Sequence, residues 1–340
     1  MTSVVYRPIP LAGPPWPAEA LPLAGGPLFF ATVAEHRAGQ PPRLVAASAL
    51  PASARARLTQ PRAPIAGLAL DRPRIMAVLN VTPDSFSDGG RFLARADALV
   101  QARALVAAGA DMLDIGGEST RPGAIPVPAE EEIARVVPVI EALREEGIAA
   151  PISVDTRNAA TARAAITAGA DLFNDVSALE HDPESLALAA GTGVAVCLMH
   201  ARGDPRTMQE APRYDDVLSE VHAYLAARVE ACVAAGIPRA RILVDPGIGF
   251  GKSVAHNLAL LRGLAAFHDL GCAILLGVSR KRFIGALGHA PNPADRVPGS
   301  IAAGLQGLRL GAQMLRVHDV AETRQAVALW TAIEEGDARR

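Results

Sequence analysis

From residue 74 onward the chain repeats one pattern: a short apolar run that stops on a polar or charged residue, followed by a longer amphipathic stretch. IMAVLN ends on Asn80, MLDIGGE carries Asp114, ISVD ends on Asp155 and LFND on Asn174 and Asp175. VCLMH ends on His200, ILVD on Asp245, ILLGVSRK on Ser279 and Lys281, and MLRVH on Arg316 and His318. Buried parallel strands read as near-continuous hydrophobic runs. A polar residue at every exit is costly unless the exits share a wet mouth. Between the runs, Leu99, Ala102, Leu105 and Val106, and then Ile133, Val136, Val137, Ile140 and Leu143, fall on single helical faces. Strands starting near 74, 112, 152, 171, 194, 242, 273 and 313, each with a helix after it, predict an α/β fold, a (β/α)8 TIM barrel whose catalytic residues come from the C-terminal strand ends.

Punctuation supports this reading. AAGADMLDIGG and TAGADLFNDVS repeat one design, with Gly109 or Gly169 closing a helix shortly before a strand opens. Asp182 before Pro183, and Asp319 three residues before Glu322, are expected helix N-caps. Residues 1–70 lack the exit pattern and are proline-rich, with one expected strand near LFFATV. We expect an N-terminal extension over residues 1–70, a small appended sheet, and a catalytic barrel over residues 71–336 that folds without the extension.

Composition narrows the class. A 340-residue chain with 50% hydrophobic content can bury a large core, and a net charge of -2 gives no case for nucleic acid or an anionic membrane. Cys197, Cys232 and Cys272 have neither CxxC nor His-paired spacing, which argues for reduced core thiols. No span or signal pattern is evident, so a cytoplasmic protein is expected. Of 33 basic residues only Lys252 and Lys281 are lysines, and both lie in strand-exit loops.

Several exits carry candidate chemistry. GIGFGKS (247–253) fails the phosphate-loop pattern because Pro246 stands where glycine is needed, but its glycines can bring backbone close to a ligand. The basic exits SRKR and RVHD follow strands seven and eight, where barrels commonly hold phosphate groups, and Arg121 in the loop after strand two adds to this cationic wall. Asp155, Asn174 and Asp245 form a carboxylate and amide set suited to a planar heterocycle edge with several N–H donors. Because strand-exit polar residues face the mouth and not the core, replacing Lys281 or Arg316 by alanine is expected to lower turnover and spare the fold.

NVTPDSFSDGG from Asn80, DIGGESTRPGA from Asp114, ISVDT, NDVSAL, VCLMH, LVDPGIGFGK, GVSRK and RVHDV occur in this order. Together they resemble the signature of the dihydropteroate synthase family, over roughly residues 74–330. Ala77 departs from a common glycine, and Ile248 from a common aromatic near the aminobenzoate channel. The resemblance implies a transferase of folate biosynthesis and a sulfonamide target. Its reaction condenses 6-hydroxymethyl-7,8-dihydropterin diphosphate with 4-aminobenzoate, giving 7,8-dihydropteroate and diphosphate with Mg2+. It further implies a pterin site at Asp155, Asn174, Asp245, Lys281 and Met199, and diphosphate contacts at Arg121, Arg316 and His318. It places 4-aminobenzoate at Thr120, Pro122, Phe250 and Ser279, the metal at Asn80, closing loops at 81–92 and 117–125, and a homodimer. A pterin-dependent methyltransferase is the alternative within the same barrel class.

Overall fold

The computed structural model describes residues 4–11, 13–37, 39–81, 90–118, 127–203, 208, 210 and 212–336. Eight parallel strands close a barrel in chain order: β6 (Arg74–Asn80), β7 (Met112–Gly116), β8 (Ile152–Asp155), β9 (Leu172–Asp175), β10 (Ala195–Met199), β11 (Ile242–Asp245), β12 (Ala273–Gly277) and β13 (Met314–Val317). Pairing of β13 with β6, Leu315 opposite Ile75, completes the ring. Helices α2 (Gly90–Ala107), α3 (Ala129–Glu145), α4 (Ala159–Thr167), α5 (Ser185–Thr192), α6 (Val217–Ala234), α7 (Val254–Gly263), α8 (Arg282–Leu287), α9 (Val297–Arg309) and α10 (Val320–Glu335) surround it. The (β/α)8 barrel expected from the polar exits is the fold observed.

Period-two alternation sorts the strand residues onto two faces. Ile75, Ala77, Leu113, Ile115, Val154, Phe173, Leu198 and Val244 pack outward against the helices in one continuous core. Met76, Met112, Leu172, Cys197, Leu243, Leu275 and Met314 fill the barrel interior. Toward the mouth the inward positions turn polar, at Asp114, Ser153, Asp155, Asn174, Asp245 and Arg316.

The repeated Gly-Ala-Asp segments have a defined job. Gly109 and Gly169 take left-handed backbone, φ 99° and 113°. Two residues on, Asp111 accepts the Ile75 N–H at 2.8 Å and Asp171 accepts the Ile152 N–H at 2.8 Å, so each aspartate closes a donor in the first two residues of the preceding strand. An arginine clamps each turn from a neighbouring helix. Arg324 donates to the Gly109 carbonyl and to Asp111, and Arg144 to the Gly169 carbonyl and to Asp171. Gln313 does the same for the Ile274 N–H at 2.8 Å.

The two expected caps are otherwise employed. Asp182 lies two residues before α5's cap position, Glu184. It accepts the Glu184 N–H at 2.9 Å and, across to the preceding unit, the Ala159 N–H at the start of α4 at 2.9 Å. Asp319 occupies the cap position of α10 but spends its carboxylate on the Arg280 guanidinium. A charged partner outbids a backbone amide because the charge-assisted pair is the stronger bond.

Residues ahead of β6 form a three-stranded antiparallel sheet of β1 (Val5–Pro8), β4 (Thr32–His36) and β5 (Arg43–Ala46), a short pair of β2 (Leu21–Pro22) with β3 (Phe29–Phe30), and α1 (Ala52–Thr59). They have their own core of Leu23, Leu28, Phe30, Val33, Leu50 and Leu58. They dock on the 3-10 stretch Leu264–Leu270: Arg57 grips Asp269 at 2.7 Å, the Tyr6 N–H reaches Asp269 at 3.2 Å, and Arg62 reaches the His268 carbonyl at 3.1 Å. Ile65 and Leu70 leave this unit and pack into the barrel interior with Met76, Met112 and Met314. The floor plug therefore lies on the extension's side of the boundary expected at residue 70, and a barrel cut at 71 would lose it.

Ile65 is 1% exposed. Its truncation to alanine should lower unfolding free energy by roughly 2–5 kcal/mol, as for other buried large-to-small changes. Urea titration with an unchanged slope would register this, and a loss under about 1 kcal/mol would show that the floor does not need its plug.

Candidate active site

The strand register sets the mouth. Asn80 lies opposite Gly116, Gly116 opposite Asp155, and Asp155 opposite Asn174, so the ends of β6 to β9 stand level. Met199 pairs with Asp245 and Gly277 with Arg316 across the other half of the ring. Gly116 and Gly277 leave space there: a Cβ at Gly116 would lie 3.6 Å from the Asp155 Cβ and 3.8 Å from Asn80 Oδ1, and one at Gly277 3.6 Å from Asp245 Oδ2.

One network joins three of the expected polar residues, Asp155, Asn174 and Arg316, through Asp114 and Arg316 itself. Arg316 donates from Nε to Asp114 at 2.5 Å and from its other arm to Asp155 at 2.6 Å. Asp114, fully buried, also accepts the Ser153 hydroxyl at 2.6 Å and faces the Asn174 amide at 3.3 Å. The second oxygen of Asp155 is buried and has no hydrogen-bond partner among the described residues. Burial pushes the Asp155 carboxyl well above the ordinary carboxylate range, against the pull of Arg316. Burial alone would lower the Arg316 guanidinium, but Asp114 and Asp155 reverse that and hold it charged. Asp245 is likewise raised by burial, opposed by the Gly247 N–H that it accepts at 2.7 Å.

Arg316, expected to meet diphosphate, is thus the counter-ion of two carboxylates. Asp114, a strand residue left out of the expected site, is the centre of the network. Its signal was an aspartate two residues before Gly116 in an otherwise apolar strand. The expectation that replacing mouth residues spares the fold is corrected for Arg316, which compensates buried charge.

At the other exits, Ser279 Oγ accepts the His318 N–H at 3.2 Å and sits 3.0 Å from the His318 ring, which joins a residue expected at aminobenzoate to one expected at diphosphate. Lys281 Nζ lies 3.9 Å over the Phe250 ring, a cation–π contact. Met199 is buried in the wall below Gly247. Thr120, Arg121, Pro122 and most of the two expected closing loops lie outside the described residues. For a divalent cation, no group of three or more His, Cys, Asp or Glu converges among the described residues. Asn80 Oδ1 at the rim is a hard oxygen donor of the kind Mg2+ takes when the substrate's phosphates supply other ligands.

Beyond the first ring lies a second polar cluster. Glu132 of α3 is buried and accepts from Thr156 at 2.9 Å, Asn158 at 2.9 Å and Thr161 at 2.7 Å, while burial raises its carboxyl. Arg157 pairs with Glu118 at 3.0 Å beside it. Together they brace the chain on both sides of the 119–126 segment; the polar run DTRNAAT was the available sign.

A (β/α)8 barrel with hydrogen-bond acceptors and cations gathered at the C-terminal strand ends defines the class: a barrel enzyme for a polar heterocycle and an anion. The family model described as pterin binding enzyme matches residues 76–318. Dihydropteroate synthase of Escherichia coli strain K12 is 47% identical over 260 residues, covering 76% of this chain and 91% of that protein. Among solved structures, Xanthomonas albilineans dihydropteroate synthase with 4-aminobenzoic acid superposes with a TM-score of 0.75 at 50% identity, covering 80% of this chain and 98% of that one. The same enzyme in complex with 7,8-dihydropteroate gives 0.73 at 48% identity, with 80% and 98% covered. The chain belongs to the pterin-binding enzyme family.

Arg316→Ala is expected to destabilise the protein by about 3 kcal/mol near pH 8, because it leaves two buried carboxylates without their cation. Without the guanidinium, Asp155 titrates higher still in the folded state and normally in the unfolded one. The deficit should therefore shrink as pH falls and the carboxyl can be neutral. Denaturant unfolding at pH 5.5 and 8 measures it; equal deficits at both would remove the counter-ion role.

Proposed function

We infer that this chain is a dihydropteroate synthase: it joins 4-aminobenzoate to the methylene carbon of 6-hydroxymethyl-7,8-dihydropterin diphosphate and releases diphosphate. The observation that carries the reading is the rim in which Asp114, Asp155, Asn174 and Asp245 face Arg316 and Lys281, within a chain of this family. The pterin ring presents N–H donors along one edge, and the unpartnered oxygen of Asp155, with Asn174 and Asp245, offers acceptors for it. Met199 supplies an apolar wall and Lys281 orients the ring.

As the carbon–oxygen bond breaks, positive charge grows on the pterin methylene and negative charge on the leaving diphosphate. Fixed carboxylates at Asp155 and Asp245 stabilise the first, and Arg121, His318 and one arm of Arg316 the second. A guanidinium shared between carboxylates and a diphosphate moves little on binding. Mg2+ held by Asn80 and the substrate's phosphates would neutralise diphosphate charge. The aniline nitrogen is already nucleophilic, so Thr120, Pro122, Phe250 and Ser279 need only position it, and its proton leaves to solvent once the new bond forms. We place the catalytic unit in the barrel, with the N-terminal unit as a docked appendage, and expect a cytoplasmic homodimer. Among the described residues no helix is long and apolar enough to cross a membrane.

Diphosphate release from the pterin diphosphate, dependent on 4-aminobenzoate, is the direct assay. Lys281→Ala should lower kcat/KM by an amount equivalent to about 2–4 kcal/mol with the unfolding midpoint little changed, by analogy with loss of one oriented donor. Full activity in that variant would remove Lys281 from the site. Arg121 and Thr120 share one segment and serve different ligands, so the two subsites should be coupled. Calorimetry should show 4-aminobenzoate binding more tightly when magnesium diphosphate is present, with the reciprocal effect of equal size. Equal affinities with and without it would exclude the coupling.

A further inference from the structure

Lys252 is 2% exposed, and an ammonium buried so deeply needs its donors satisfied. All three are. Nζ lies 2.9 Å from His200 Nδ1, 3.1 Å from the His200 carbonyl oxygen and 2.9 Å from the Phe250 carbonyl oxygen. The first two partners belong to the exit of β10 and the third to the glycine loop after β11. With its three donors spent on the protein, Lys252 has none for a substrate.

The loop it ties needs tying. Gly247, Gly249 and Gly251 take φ of 67°, 84° and 62°, and three such glycines carry a large entropy cost on ordering. The backbone runs so close to β10's exit that a Cβ at Gly247 would collide with the His200 carbonyl and one at Gly251 with the Arg202 carbonyl. Other bonds fix individual points: Asp245 holds the Gly247 N–H at 2.7 Å, Asn257 holds the Gly249 N–H at 2.8 Å, and the Tyr214 hydroxyl donates to the Gly251 carbonyl at 2.9 Å. Phe250, whose ring lies under the Lys281 ammonium, is held within the loop by its own N–H on the Gly247 carbonyl at 3.1 Å, and its carbonyl is tied across to the β10 exit through Lys252.

We propose that Lys252 is a positioning residue: by stapling the Phe250 carbonyl to His200 it fixes the Phe250 ring as the wall of the aromatic-amine subsite. The assignment of that subsite rests on the proposed synthase reaction. His200 fits the part of a neutral acceptor. Burial, then the nearby Lys252 and Arg202 charges, lower its imidazole to about 3, while burial lowers the Lys252 ammonium to about 7. The Tyr224 ring packs perpendicular to the imidazole, with centroids 4.9 Å apart.

The test is Lys252→Met, which keeps the apolar stem and removes the donors. KM for 4-aminobenzoate should rise about tenfold or more, with kcat and KM for the pterin diphosphate changing by less than about threefold, the pattern of a lost uniform binding contact. Placed on Phe250→Ala, the same change should add no further rise, because the staple acts through that ring. A merely structural lysine would lower the active fraction or the unfolding midpoint and leave the 4-aminobenzoate KM alone. That result, or additive effects in the double variant, overturns the proposal. Should Lys252→Met fail to fold, Tyr214→Phe decides: it removes one hydroxyl from the other side of the loop and should raise the same KM. An unchanged value in the folded variant counts against the staple. Hydrogen exchange of residues 247–252 is read in parallel. If the wild type releases no diphosphate, the synthase reading fails by itself. The staple then stands or falls on whether these amides lose protection in Lys252→Met.

Discussion

Carboxylates crowded at one end of a closed barrel are the constraint on which the molecule turns. Asp114, Asp155 and Asp245 are all at least nine-tenths buried, and burial raises the carboxyls of Asp155 and Asp245. Arg316, projecting inward from the last strand and reaching across to the second and third, answers two of them with one planar fork. A lysine in its place would supply a point charge to one. The site therefore keeps strong acceptors for a ligand without an excess of uncompensated charge, and its stability and binding chemistry share an arginine.

That sharing requires the strand ends to be level, which is settled at the opposite end of the barrel. Asp111, Asp171 and Gln313 each close an N–H within the first two residues of an adjoining strand. A slip by one residue would orphan that donor and turn every inward side chain outward. The floor thus writes the register that the mouth reads. Arg324 and Arg144 reinforce two of these turns with bonds to both the glycine carbonyl and the aspartate, which is why both short segments repeat almost letter for letter.

The barrel and its mouth were legible because both rest on local rules: apolar runs for strands, glycine for helix ends, polar residues where runs stop. Asp155, Asn174, Asp245, Lys281 and Arg316 could be picked out from their exit positions. The network's wiring could not. Which carboxylate Arg316 meets depends on the ring closing β13 onto β6 and on side-chain reach across it, and separations of 202 and 161 residues along the chain carry no trace of that. Asp182 and Asp319 show the same limit, since a helix-start aspartate is recognisable but the partner that wins its oxygens is not. Asp114 was visible as a strand aspartate and undervalued because it lies inside the strand and not at its last residue. The floor plug at Ile65 was hidden for a different reason: two apolar residues in a proline-rich stretch have no periodicity.

Parallel strands separate the appended sheet from the chemistry. All eight start at the plugged end and finish at the mouth, so a contact made ahead of a strand's first residue acts about 16 Å from its exit, at 3.3 Å per residue over the five residues of β12. The N-terminal unit grips Leu264–Leu270, immediately before that strand, and Ile65 and Leu70 enter from the same side. Its influence on Lys281 at the far end must pass through a rigid, densely packed strand, and close-packed interiors hold position well. The unit is consequently placed to set how firmly the barrel holds its register, and the identity of the ligands is left to the exits.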